Sequence, residues 1–210
     1  MTGLFITFEG GDGAGKSTQA ELLGAWLEER GHEVVRTREP GGTRLGAEVR
    51  QLLLHGGDAV GDVDPRAEAL LYAADRAQHV AKVVRPALER GAIVVQGRYI
   101  DSSLAYQGAG RVLDLDEVRR ISEWAAGGLW PHLTVLLDLD LDAAAERRRA
   151  RGGAADRLEA EAAEFHAAVR TGFLALAQAD PDRYLVLDAA QPADALHAAI
   201  LARVAPLIRA

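Results

Sequence analysis

Residues Gly10, Gly11, Asp12, Gly13, Ala14, Gly15, Lys16 and Ser17 read GGDGAGKS, which fits the pattern GxxxxGK[ST]. Glycines at that spacing let consecutive backbone N–H groups turn toward one point. A helix N-terminus adds positive potential there, and Lys16 supplies a mobile ammonium. The expected ligand is a nucleoside triphosphate, with Thr18 following Ser17 at the helix start. Lys16 and Lys82 are the only lysines among 24 basic residues, so a chance match in a glycine-rich chain is a poor explanation.

Arginines form the second set of chemistry-bearing residues. A guanidinium holds two phosphate oxygens in a planar fork, so Arg38, Arg50, Arg76 and Arg98 suit a second anion site. The segment 147–161, RRRARGGAADRLEAE, holds five arginines around a Gly-Gly break and reads either as a solvated turn or as a lid. A guanine-reading NKxD sequence is absent, and 210 residues leave little room for a motor's oligomer-forming modules. Phosphoryl transfer to a small acceptor is the chemistry that remains.

Those residues need a frame. Apolar runs at 4–9, 33–37, 92–96, 133–139 and 184–187 alternate with helical patterns at 16–30, 45–54, 66–89, 116–126, 141–149, 160–179 and 192–208. The alternation predicts an α/β fold with a parallel sheet covered on both faces. Ligands collect at the carboxyl ends of strands in such sheets, which puts Arg38 and Arg98 beside the glycine loop. Gly31 and Gly91 read as helix C-caps.

A net charge of -7 argues against nucleic acid as the main partner, while a local arginine cluster still suits a nucleotide. With no cysteine there are no disulfides or thiolate zinc sites. Glu9 breaks the first apolar run and no stretch of 18 apolar residues exists, so the expectation is a soluble, cytoplasmic protein with no membrane partner.

TREPGGT (37–43), YAADRAQH (72–79), RYIDSSLAYQGAGR (98–111) and DRLE (156–159) resemble the bacterial thymidylate kinase family, in order and over nearly the whole chain. The resemblance implies phosphorylation of dTMP to dTDP by ATP and magnesium. It implies a single P-loop kinase domain over 1–210, a three-layer fold with a five-stranded parallel sheet, an arginine-rich lid at about 147–161, and a homodimer. Lys16 and the loop amides would hold the ATP phosphates, Ser17 would ligate magnesium, and Gln191 in DAAQP would lie on the adenine side. Arg50 and Arg98 would grip the acceptor phosphate, Tyr72 would stack on thymine and Arg76 would reach its exocyclic oxygen. Ser103 and Gln107 would meet the base edge, Asp12 and Tyr106 would lie by the sugar, and Glu39 joins the dTMP set. The transition-state arginine would be Arg151 or Arg157, with Arg149 in reserve, since Asp12 occupies the loop position where other members place a basic residue.

By residue type alone, Tyr72 reads as core, Arg50 as a surface partner of Glu48 or Glu39, and Ser103 with Gln107 as an i,i+4 pair on a short helix. Asp138 and Asp140 read as turn or cap residues, and His55 and His79 as structural. Gly97 stands where the family has an aspartate before its arginine. That leaves two alternatives to the dTMP kinase: a nucleotide-binding protein with impaired catalysis, or a kinase of another pyrimidine nucleotide.

Overall fold

The computed structural model describes residues 3–56, 60–111, 113–152 and 156–208, and the side chain of Arg151 lies outside that description. Five strands form one parallel sheet: β1 (Leu4–Glu9), β2 (Val34–Arg38), β3 (Ile93–Gly97), β4 (Leu133–Asp138) and β5 (Tyr184–Asp188). The order is β2-β3-β1-β4-β5, with Phe8 of β1 opposite both Gly97 of β3 and Val135 of β4. The chain therefore departs to one side of β1 and later crosses to the other. A crevice opens at the carboxyl end of β1, and the glycine loop and Arg98 share it.

The pleat explains the layers. Ile6 and Phe8 face α1 (Lys16–Glu28) and the last helix, packing with Leu23, Leu27, Ile200 and Val204. Phe5 points the opposite way and packs with Val80, Val84, Leu88 and Ile100. Thr7 between them is fully buried and is satisfied by Thr134 at 3.0 Å.

The helices after α1 are α2 (Arg44–Arg50), α3 (Pro65–His79), α4 (Ile100–Ser103), α5 (Leu115–Ala126), α6 (Leu141–Arg151), α7 (Ala163–Ala179) and α8 (Ala193–Ile208). Thr43, Asp64, Asp114 and Asp140 cap α2, α3, α5 and α6 through their side-chain oxygens, so Asp140 is a helix cap. Gly31 and Gly91 take φ of 83° and 88°, as expected of residues that end a helix.

Three helices are wound differently from the expected regular pattern. α2 runs on into a π-helical turn, Gln51–His55, and α4 into a longer one, Leu104–Gly110. The single helix expected over 66–89 is α3, a π-helical turn Val80–Val84, and a last α turn Arg85–Glu89. Pro86 supplies a reason: it has no N–H, and its ring would clash with the carbonyl four residues back in regular winding. Among the described residues no helix is long and apolar enough to cross a membrane.

Candidate active site

Gly10 leaves β1 with φ 127°, and a Cβ there would lie 2.3 Å from the Leu137 carbonyl oxygen, so only glycine fits. Gly15 caps α1 in the left-handed conformation with no side chain over the helix end, which leaves the first amides of α1 open. Lys16 Nζ donates to the Gly10 and Gly11 carbonyls at 2.9 and 2.7 Å. Burial, reinforced by the Arg98 charge, pushes its ammonium down to about 7. Ser17 and Thr18 stand exposed at the floor of a cleft of about 920 Å³ that Arg38, Arg50, Arg98 and Arg147 also line. These arginines and a helix N-terminus around one cleft make an anion site.

Arg98 follows β3 with φ 62°, the one positive φ outside glycine among the described residues. Such strain persists only where the surroundings enforce it. Its N–H donates to Phe8 O at 3.0 Å, while the guanidinium reaches Asp12 at 2.6 Å, Tyr106 Oη at 3.1 Å and Ser102 Oγ at 3.2 Å. Burial alone would raise the Asp12 carboxyl, yet Arg98 and Lys16 hold it well below the usual carboxylate range. Glu9 is spent beneath the cleft, accepting from Tyr99 N at 2.7 Å and Ser102 Oγ at 2.6 Å, and burial pushes it up to about 7. A Cβ at Gly97 would meet only Arg38 Cβ, at 3.8 Å.

A narrow slot of about 70 Å³ adjoins this cleft. Asp12, Arg50 and Arg98 line both cavities, and Tyr72, Arg76, Ser103, Tyr106 and Gln107 line the slot. The structure thus brings the expected acceptor set to one place. Arg76 is buried and donates to Glu39 Oε2 and Tyr99 O at 3.0 Å and to Ser103 Oγ at 3.1 Å, while its Nη1 has no partner. A buried guanidinium nitrogen left unpaired at a cavity wall is a donor awaiting an acceptor. Glu39 lines the slot but has both oxygens committed, to Arg76 and to His79 Nδ1 at 2.9 Å, so it orients Arg76 from behind. His79 continues the chain to Thr37 Oγ1 at 2.6 Å, in keeping with its expected structural role.

Other expected residues fall elsewhere. Gln191 is exposed in the turn before α8, where its N–H donates to Asp188 O at 3.2 Å, and it does not line the cleft. Arg157 does not reach the phosphate cleft either: its Nε donates to Leu53 O at 2.8 Å and its Nη2 to Glu68. Arg149 bonds back to Ala145 O in its own helix. Asp138 pairs with Arg170 at 2.6 Å. The segment after α6 is no solvated turn at its far end, because Leu158 is buried against Leu53, Leu54 and Phe165.

Two contributors were missed. Arg147 reaches Ala189 O at 2.9 Å and Gly13 O at 3.4 Å, bridging the glycine loop to the chain after β5. Glu68 lies on the α3 face of Tyr72 and Arg76 at spacings of four, the periodic signal that would have found it.

The thymidylate kinase family profile matches residues 8–200. The chain belongs to the thymidylate kinase family. As a member of it the chain is a phosphotransferase. It is similar to "Thymidylate kinase" of Clavibacter michiganensis subsp. michiganensis, 62% identical over 210 residues, covering 100% of this chain and 98% of that one. It is also similar to "Thymidylate kinase" of Deinococcus radiodurans, 56% identical over 202 residues, covering 96% of each chain. The solved thymidylate kinase from Ehrlichia chaffeensis superposes with a TM-score of 0.79 at 32% identity, over 98% of this chain and 99% of that one.

Proposed function

We propose that the chain transfers the γ-phosphoryl group of ATP to dTMP, giving dTDP and ADP, across the junction of the cleft and the slot. One observation carries this reading: Arg50, Arg98 and Asp12 line both cavities, so an anion held there touches a donor on one side and an acceptor on the other. In this reading the loop amides and Lys16 hold the donor phosphates, and Arg50 and Arg98 fix the acceptor phosphate. Tyr72 forms the platform for the base, the free Nη1 of Arg76 donates to an exocyclic oxygen, and Ser103 and Gln107 meet the base edge. Asp12 and Tyr106 border the sugar.

The nucleophile is already a phosphate oxygen, so positioning and charge neutralisation suffice and no strong base is needed. Arg147, beside the glycine loop, joins Arg151 as a source of positive charge for the transferring group. Among the described residues no group of three His, Cys, Asp or Glu side chains could hold a metal alone. That fits an ion carried in by the triphosphate, with the Ser17 hydroxyl as the protein's ligand. Magnesium there would neutralise phosphate charge and align the transferring group.

Leu54 and Leu158 wall the slot. We read 1–210 as a single P-loop kinase domain with 147–161 as its lid, working as a cytoplasmic homodimer without a nucleic-acid partner.

Gly97 favours a second reading, nucleotide binding with weakened chemistry, since Glu9 is turned away beneath the cleft. ADP release with Mg-ATP against dTMP, dUMP, dCMP, dGMP and thymidine decides. Preference for dTMP supports the kinase, preference for another acceptor discards the thymine assignments, and silence with ATP bound supports the second reading.

A further inference from the structure

Glu68 is fully buried behind Gln107, which lines the acceptor slot, and accepts from donors in two separate parts of the chain, 107–111 and 157. Its Oε1 accepts from Gln107 Nε2 at 2.9 Å and Arg111 Nε at 3.3 Å, and its Oε2 accepts from Arg111 Nη2 at 3.3 Å and from Arg157 Nη2. Burial opposes its charge, but Gln107 and the two guanidiniums hold its carboxyl below the usual range.

An ionised carboxylate can only accept, so the edge of the Gln107 amide that meets Glu68 must be the NH2. The Gln107 carbonyl oxygen is then the atom left for the slot. That polarity selects bases. A carbonyl oxygen accepts from the N3–H of thymine or uracil and meets the N3 lone pair of cytosine with repulsion.

We propose that Glu68 is a positioning residue for base selection: it fixes the Gln107 amide with its oxygen toward the bound base, and through Arg157 it ties that setting to the turn after α6. The proposal rests on the reading of the slot as a dTMP site.

Calorimetric titration of the wild type and Glu68→Gln with dTMP and dCMP tests it without needing turnover. Glutamine can present either an NH2 or an oxygen, which releases the Gln107 amide to turn over. The dTMP-to-dCMP affinity ratio should fall roughly 10-fold, with ATP affinity unchanged within about twofold. In a Gln107→Ala background the same substitution should change that ratio by less than about twofold, because the effect runs through Gln107. Equal losses for dTMP and dCMP would make Glu68 merely structural and overturn the proposal. A wild type with no preference for dTMP over dCMP would overturn the slot reading and the proposal together, before any variant is considered. If Glu68→Gln does not fold, a crystal structure of the wild type with dTMP decides. Gln107 Nε2 still on Glu68, with Oε1 facing N3, supports the proposal, and Gln107 swung away from Glu68 overturns it.

Discussion

Arg98 and Asp12 are joined by a 2.6 Å charge-assisted hydrogen bond between residues 86 apart in the chain, which ties the glycine loop to the end of β3. The pair fixes the aim of the guanidinium that faces both cavities. Asp12→Asn keeps the shape and removes the charge, so kcat/KM for dTMP should fall about 10- to 100-fold, mostly through KM. Steady-state kinetics would check this. An unchanged KM would mean that the bound phosphate replaces Asp12 without cost.

Arg76 is the counter-ion of Glu39, and both are buried. Arg76→Ala strands that carboxylate, and breaking a buried pair from one side costs about 3–5 kcal/mol. Urea unfolding should show a loss of that order, together with loss of dTMP binding. A loss below about 1 kcal/mol would show that His79 alone satisfies Glu39.

Gly97→Asp has room to be built, with only Arg38 Cβ nearby at 3.8 Å. It restores a carboxylate beside the anion site, where it can order the waters of a phosphate-bound cation. Turnover should rise more than dTMP affinity changes, by about 10-fold or more. Equal turnover in the two proteins removes the idea.

Lys16, pushed down to about 7 from its ordinary 10.5, is largely neutral above pH 7 in the ligand-free protein. The unfolded chain keeps that proton up to about 10.5, so this group's contribution to stability rises with pH between the two values. A triphosphate reverses the preference by favouring the charged form. ATP binding at pH 8 should therefore take up a proton, and its affinity should weaken as pH rises from 7 to 9. Calorimetry in buffers of different ionisation enthalpy measures this, and binding with no proton exchange would rule it out.

The strands were legible because continuous apolar runs bounded by turn residues have few other uses in a buried parallel sheet. The π-helical turns were not, since five to seven residues are too few for periodicity to separate one helical winding from another. Pro86 was the available clue for one of them. The acceptor set was legible through short motifs that keep their residues together. Spacing to Tyr72 and Arg76 places Glu68 on the right helix face, but its partners Gln107, Arg111 and Arg157 lie 39, 43 and 89 residues away, and only the folded chain assembles them. The adenine-side role of Gln191 rests on the resemblance alone, since DAAQP is also an ordinary way to begin a helix and Gln191 stands exposed outside the cleft lining.

The π-helical segment Leu104–Gly110 carries both Tyr106 and Gln107 into the slot. A π turn is an α turn lengthened by one residue, so removing one residue would return the segment to ordinary winding with its backbone still bonded. Gln107 would then rotate relative to everything around it. For anyone re-engineering acceptor choice, chain length within these seven residues is a separate control on the pocket, one that libraries built from substitutions alone never sample.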